Sequence, residues 1–122
     1  MQPALARLRE VLLAEGGEEI CVNGIEEHLK ILLERGQPYR PEKIQLREGE
    51  AGRCHSNISH EWLLDERLVL ITGYCLDDGV WRSHSWGRHG HDLVETTFAR
   101  EDYFGAELRP DEAREFVNEN CP

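Results

Sequence analysis

Apolar positions recur every three or four residues over 3–15, where Leu5, Leu8, Val11, Leu12 and Leu13 form one stripe, the spacing of an amphipathic helix. Pro3 suits its first turn, and Gly16-Gly17 stops it. The same period returns over about 24–35 with Ile25, Leu29, Leu32 and Leu33, flanked by Asn23 as N-cap and Gly36 as C′ residue. Gln37-Pro-Tyr-Arg-Pro41 reads as an extended connector, because a residue before proline is driven out of the helical region. Lys43–Arg47 alternates and predicts a short strand, and 48–52 is a turn-rich loop. A third helix is expected over roughly 55–66, beginning at Cys54, with Ile58, Trp62 and Leu63 on one face.

The pattern then changes. Arg67–Leu76 is strongly apolar, Val80–Gly87 alternates, and Asp92–Phe98 carries Val94 and two threonines, so three strands follow in close order. Asp78-Gly79 is a strong two-residue hairpin signal, and a second turn is expected near His89-Gly90. Tyr103-Phe104-Gly105 reads as a packed turn. A closing helix runs from Pro110 to about Asn118, with Asp111 and Glu112 complementing the dipole at its start. The order predicts an α+β fold: a three- to four-stranded antiparallel meander with helices packed on one face. At 122 residues this is one domain, in which 1–36 is an N-terminal helical pair.

The formal charge is −10 and the mean hydropathy −0.59. Such a balance repels phosphate and argues against nucleic acid or an anionic membrane as partner. No apolar run approaches the length of a membrane span. The first ten residues lack the uninterrupted apolar stretch of a signal peptide, so a cytoplasmic location is expected. There the four cysteines (Cys21, Cys54, Cys75, Cys121) are expected to stay reduced.

Chemistry concentrates between Cys54 and Glu95, which enclose five of the six histidines and all three tryptophans. Cys54 precedes a predicted helix, and unpaired N–H groups there favour a thiolate, as do Arg53 and His55. A two-residue turn at Asp78-Gly79 sets His84 opposite Gly73, which leaves space over the ring. A turn at His89-Gly90 sets His84 opposite Glu95, close enough for the carboxylate to fix the imidazole tautomer. Nucleophile, base and orienting acid are the three roles of a catalytic triad. His55 and Asn57 fall on the first helical turn and are candidate substrate contacts, with Asn57 as a cap the alternative. Arg82, His84 and Trp86 share one strand face, a row too polar for deep core and suited to a cleft wall.

Cys54-His-x-Asn57, Thr72-Gly-Tyr74, His84-Ser-Trp-Gly87 and Val94-Glu-Thr-Thr97 together resemble a group of small bacterial proteins. Through the order cysteine-on-a-helix, histidine, then polar residue on successive strands, residues 52–105 resemble the papain-like cysteine hydrolases, particularly the NlpC/P60 and transglutaminase-like branches. The resemblance implies a papain-like core with Cys54 as nucleophile, His84 as base and Glu95 as orienting residue. It implies a thiol-dependent hydrolase or acyl-transferase acting on the carbonyl of a small-molecule or peptide substrate, without a cofactor. Papain carries a glutamine just before its cysteine, whereas Gln45 here lies nine positions back. Two other readings stay open. One is a zinc site drawn from Cys54, Cys75, His84, His89 and His91, at no standard spacing; the other is an acidic interaction module whose amphipathic helices dock a partner.

Overall fold

The computed structural model describes residues 3–22, 28–40 and 42–121. The fold is α+β; among the described residues it has four helices and a mostly antiparallel sheet of seven strands rather than the expected three or four. The residues group into two compact units. One holds the chain to Arg40 with Gly73–Ser83 and Arg100–Ala106; the other holds 41–72, His84–Ala99 and 107–122.

In the first unit, α1 (Pro3–Glu15) buries Leu8 and Leu12 fully. Gly16 and Gly17 end it as expected, and Gly17 at φ 75° lies so close to Leu76 and Trp81 that a side chain would collide. The chain then forms β1 (Glu19–Cys21), which pairs in parallel with the start of β5 (Val80–His89), Ile20 opposite Trp81. The second helix, α2, is described over Leu29–Arg35; the expected cap Asn23 lies outside the described residues. Gly36 does not take the left-handed C′ conformation expected of it. It is extended (φ −63°, ψ 142°), and glycine is needed because a Cβ would run into the Leu32 carbonyl and the Phe104 ring.

Gln37–Tyr39, expected as a connector, is strand β2, antiparallel to β7 (Asp102–Glu107). Tyr103-Phe104-Gly105 is therefore strand and not turn. Gly105 is the reason for the misreading: glycine suggests a turn, yet here it permits close backbone approach. Gly73, in β4 (Val69–Asp77), abuts Gly105 Cα and the Phe104 carbonyl. Its missing side chain makes room for the β7 backbone. Leu8, Leu12, Leu32, Tyr74, Trp81 and Phe104 are central to this unit's core.

In the second unit, β3 (Ile44–Leu46) pairs in parallel with β6 (Asp92–Glu95), Leu46 opposite Glu95. β6 pairs antiparallel with β5, Gly87 opposite Val94 and His89 opposite Asp92. Asp78-Gly79 forms the expected two-residue turn before β5, with φ of 51° and 78°. The second turn falls on Gly90-His91, one residue later than expected. Gly90, at φ 60°, takes the first of the two turn positions, which type II′ hairpins reserve for glycine. This moves the β5–β6 register by two residues. Helix α3 (Cys54–Leu64) lies against β5 so closely that a side chain at Gly87 would strike Ile58 and Leu68. Helix α4 (Pro110–Asn120) begins at a capping box in which the Arg109 N–H donates to Glu112 Oε1 at 2.8 Å. Among the described residues no helix is long and apolar enough to cross a membrane.

Gly73→Ala is expected to destabilise the protein by roughly 1–3 kcal/mol, because the added methyl meets backbone rather than a movable side chain. Urea unfolding checks this, and an unchanged midpoint would rule out the close β4–β7 approach.

Candidate active site

All three triad candidates lie in the second unit. Glu95 ends β6, and its parallel partner β3 fixes it there: the Arg47 N–H donates to the Glu95 carbonyl at 2.8 Å. His84 stands on β5. With the observed register, directly opposed residues reach Gly87↔Val94, so His84 and Glu95 are diagonal neighbours and not opposed. A two-residue shift preserves which face each side chain occupies, and a glutamate is long enough to span the diagonal. His84 Nε2 lies 2.8 Å from Glu95 Oε1 and 3.0 Å from Oε2. Both side chains are buried, with exposures of 2% and 1%.

A carboxylate in that position requires donors. Oε1 also accepts from the Thr96 N–H at 3.2 Å and the Thr97 hydroxyl at 3.3 Å. The His84 ring stacks on Trp86, centroids 5.8 Å apart and planes within 17°. His84 is thus held on one edge by charge and on one face by an indole.

Cys54 begins α3. The first helical bond from this turn is the Asn57 N–H to the Arg53 carbonyl, so the N–H groups of Cys54, His55 and Ser56 precede the ladder. The Cys54 thiol is half-buried and hydrogen-bonds the His84 ring. Since Glu95 takes Nε2, Nδ1 is the nitrogen left to face the sulfur. Burial pushes the Cys54 thiol up, but the His84 hydrogen bond and charge, with backbone N–H bonds from Ser85 and His55, outweigh it and hold it below the usual thiol range. Burial likewise pushes His84 down, and its bonds and charge interactions with Cys54 and Glu95 outweigh it and raise it. Each shift favours a thiolate beside an imidazolium. The helix start and Arg53 were expected to supply the positive surroundings. Arg53 instead reaches into solvent and pairs with Glu50 at 3.2 Å, and the His84 ring is the side chain that acts on the sulfur.

The candidate substrate contacts separate. The Asn57 amide clamps the preceding loop, accepting from the Glu50 N–H at 3.2 Å and donating to the Glu50 carbonyl at 2.8 Å. Asn57 is therefore a loop clamp and not the helix cap of the alternative reading, since the N-cap position is Arg53 with no side-chain cap bond. His55 lies beside the thiol, its Nδ1 2.6 Å from Ser85 Oγ and its ring edge-on to Phe116. Trp86 is fully buried against His84. Arg82 belongs to the first unit, where it is exposed and paired in register with Cys21. Gln45 bonds Asp92 at 2.9 Å.

Sequence reasoning placed Ser85, Thr72 and Thr97 within motifs but gave none of them a role at the site. A serine between two buried aromatic or imidazole positions of a strand was a usable signal, because a buried hydroxyl must find a partner. All four cysteines are unbridged. Among the described residues no three His, Cys, Asp or Glu side chains are grouped to hold a metal ion, so the five candidate zinc ligands do not converge. No protein family, curated protein or solved structure matches the chain.

Iodoacetamide alkylation mapped to each cysteine checks the thiol's state. Cys54 is expected to react with an apparent pKa below the ~8.5 of a free thiol. His84→Ala is expected to raise it, since burial is then opposed only by the Ser85 and His55 N–H groups. An ordinary profile in both proteins contradicts the thiolate–imidazolium pair.

Proposed function

We propose that the protein is a thiol-dependent hydrolase or acyl-transferase acting on an amide, ester or thioester carbonyl, with Cys54 as nucleophile, His84 as acid and base, and Glu95 as orienting acid. The observation that carries this reading is the continuous chain from a half-buried thiol through one imidazole to a buried carboxylate. A structural His–Glu pair has no need of a lowered thiol at its other nitrogen. A nucleophilic site needs all three together.

The reaction follows from these groups. The Cys54 thiolate attacks the carbonyl carbon, a C–S bond forms, and the carbonyl electron pair moves to oxygen. The N–H groups of Cys54 and Ser56, which precede the α3 ladder, are the donors offered to that oxyanion. Collapse breaks the bond to the leaving group, which takes the proton from the His84 imidazolium. Water or an acceptor nucleophile then gives its proton to His84 and displaces the thiolate from the acyl thioester. Glu95 stabilises the imidazolium in both halves and is not itself protonated.

The same reading extends to the fold and setting. Helix, then strands, with cysteine, histidine and acid in that order, supports a papain-like core in residues 52–105. The charge of −10 supports a small-molecule or peptide substrate over nucleic acid, and a cytoplasmic protein is consistent with four unbridged thiols.

The test is acyl-enzyme trapping with a panel of activated esters and thioesters, read by intact mass. One acyl group is expected on Cys54, and Cys54→Ala should lose the adduct and turnover with an unchanged fold. Glu95→Gln should lower turnover by roughly 10²-fold or more, since it removes the charge that favours imidazolium. Full turnover by Cys54→Ala would overturn the mechanism.

A further inference from the structure

Ser85 touches both members of the Cys54-His55 pair. Its backbone N–H donates to the Cys54 sulfur, and its hydroxyl lies 2.6 Å from His55 Nδ1. The hydroxyl is in turn 2.9 Å from Thr72 Oγ1, deep in the sheet, where Ser85 is fully buried and Thr72 nearly so. Ser59 Oγ donates to the His55 carbonyl at 2.7 Å, and Phe116 meets the ring edge at a centroid distance of 6.0 Å.

We propose that Thr72, Ser85 and His55 form a hydrogen-bonded clamp that registers the first turn of α3 on β5 and so positions the Cys54 sulfur against His84. This deepens the proposed function and rests on it. His55 thereby serves the thiol and not the substrate.

Three observations argue for a positioning device rather than incidental packing. The contacts run in one unbroken line, from a buried strand hydroxyl to the residue adjoining the nucleophile. Ser85 lies between His84 and Trp86, so any shift of its backbone moves the base together with the N–H aimed at sulfur. The bonds are also directional. If Thr72 donates to Ser85, then Ser85 donates to Nδ1; if Ser85 donates to Thr72, Nδ1–H donates to Ser85. In each order the three groups align one another's hydrogens, so the His55 tautomer and the direction of the Thr72–Ser85 bond are set together. A thiol displaced by even 1 Å from its base loses rate by about 10²-fold.

The clamp predicts which substitutions matter. An asparagine amide at position 55 can offer a polar atom near the place of Nδ1, whereas alanine offers none. Thr72→Val keeps shape and removes only the hydroxyl that anchors Ser85. The pH profile of Cys54 alkylation is to be measured in the full chain for wild type, His55→Ala, His55→Asn, Thr72→Val and His84→Ala, with thermal melting of each.

His55→Ala and Thr72→Val are expected to raise the apparent Cys54 pKa by roughly one unit, while His55→Asn keeps the wild-type profile. A folded His55→Ala with an unmoved profile overturns the clamp. A His55→Asn as impaired as His55→Ala also overturns it, since imidazole charge and not hydrogen-bond geometry would then be at work. Should His55→Ala fail to fold, Thr72→Val and His55→Asn decide the matter. If the wild-type thiol is ordinary and His84→Ala leaves it so, the triad itself is what has failed.

Discussion

A glutamate carboxylate with 1% exposure, joined to an imidazole of 2%, is the contact around which the second unit is arranged. Removing such a charge from water costs several kcal/mol, and only close donors offset that cost. Glu95 has them on every side: the His84 ring, the Thr96 N–H and the Thr97 hydroxyl. Its position is set in turn by a parallel strand three residues long, whose backbone continues into an N–H bond to the Glu95 carbonyl. The short β3 is therefore part of the site's support.

From that pair the constraint passes outward. Glu95 holds Nε2, which leaves Nδ1 toward Cys54 and makes the imidazole a polarised bridge. The sulfur then feels one cation and two backbone N–H groups, enough to outweigh its own burial. Helix α3 supplies the sulfur and one of those N–H groups from the same turn, and the loop before it is fastened by the two Asn57–Glu50 bonds. Arg53 and the net charge of the chain have little part in this. The electrostatics are local.

The parts legible in the sequence are those governed by short-range rules. Cys54 at a helix start, the Asp78-Gly79 turn and the Pro110 helix follow from local residue preferences, and each forms. The His84–Glu95 contact is legible through parity more than register. A turn placed one residue early moves every partner by two, and an even shift keeps both side chains on one face. The strands β1, β2 and β7 were not legible. β1 and β2 are three residues long and lack the flanking alternation that marks β3, β1 pairs in parallel with a distant segment, and Gly105 in β7 marks close approach where it suggests a turn. The pattern around Ser85 shows that its hydroxyl needs a partner, but its actual partners lie on other elements, which no local pattern records.

The central claim is that His84 is an imidazolium beside a Cys54 thiolate. Nitrogen-15 NMR of the labelled imidazole, followed through a pH titration, tests it directly. The account predicts that His84 keeps both ring protons well above the ~6.5 at which an ordinary histidine titrates, and that Cys54→Ala lowers that transition. A neutral His84 at pH 6.5, or a titration unchanged by Cys54→Ala, would contradict it.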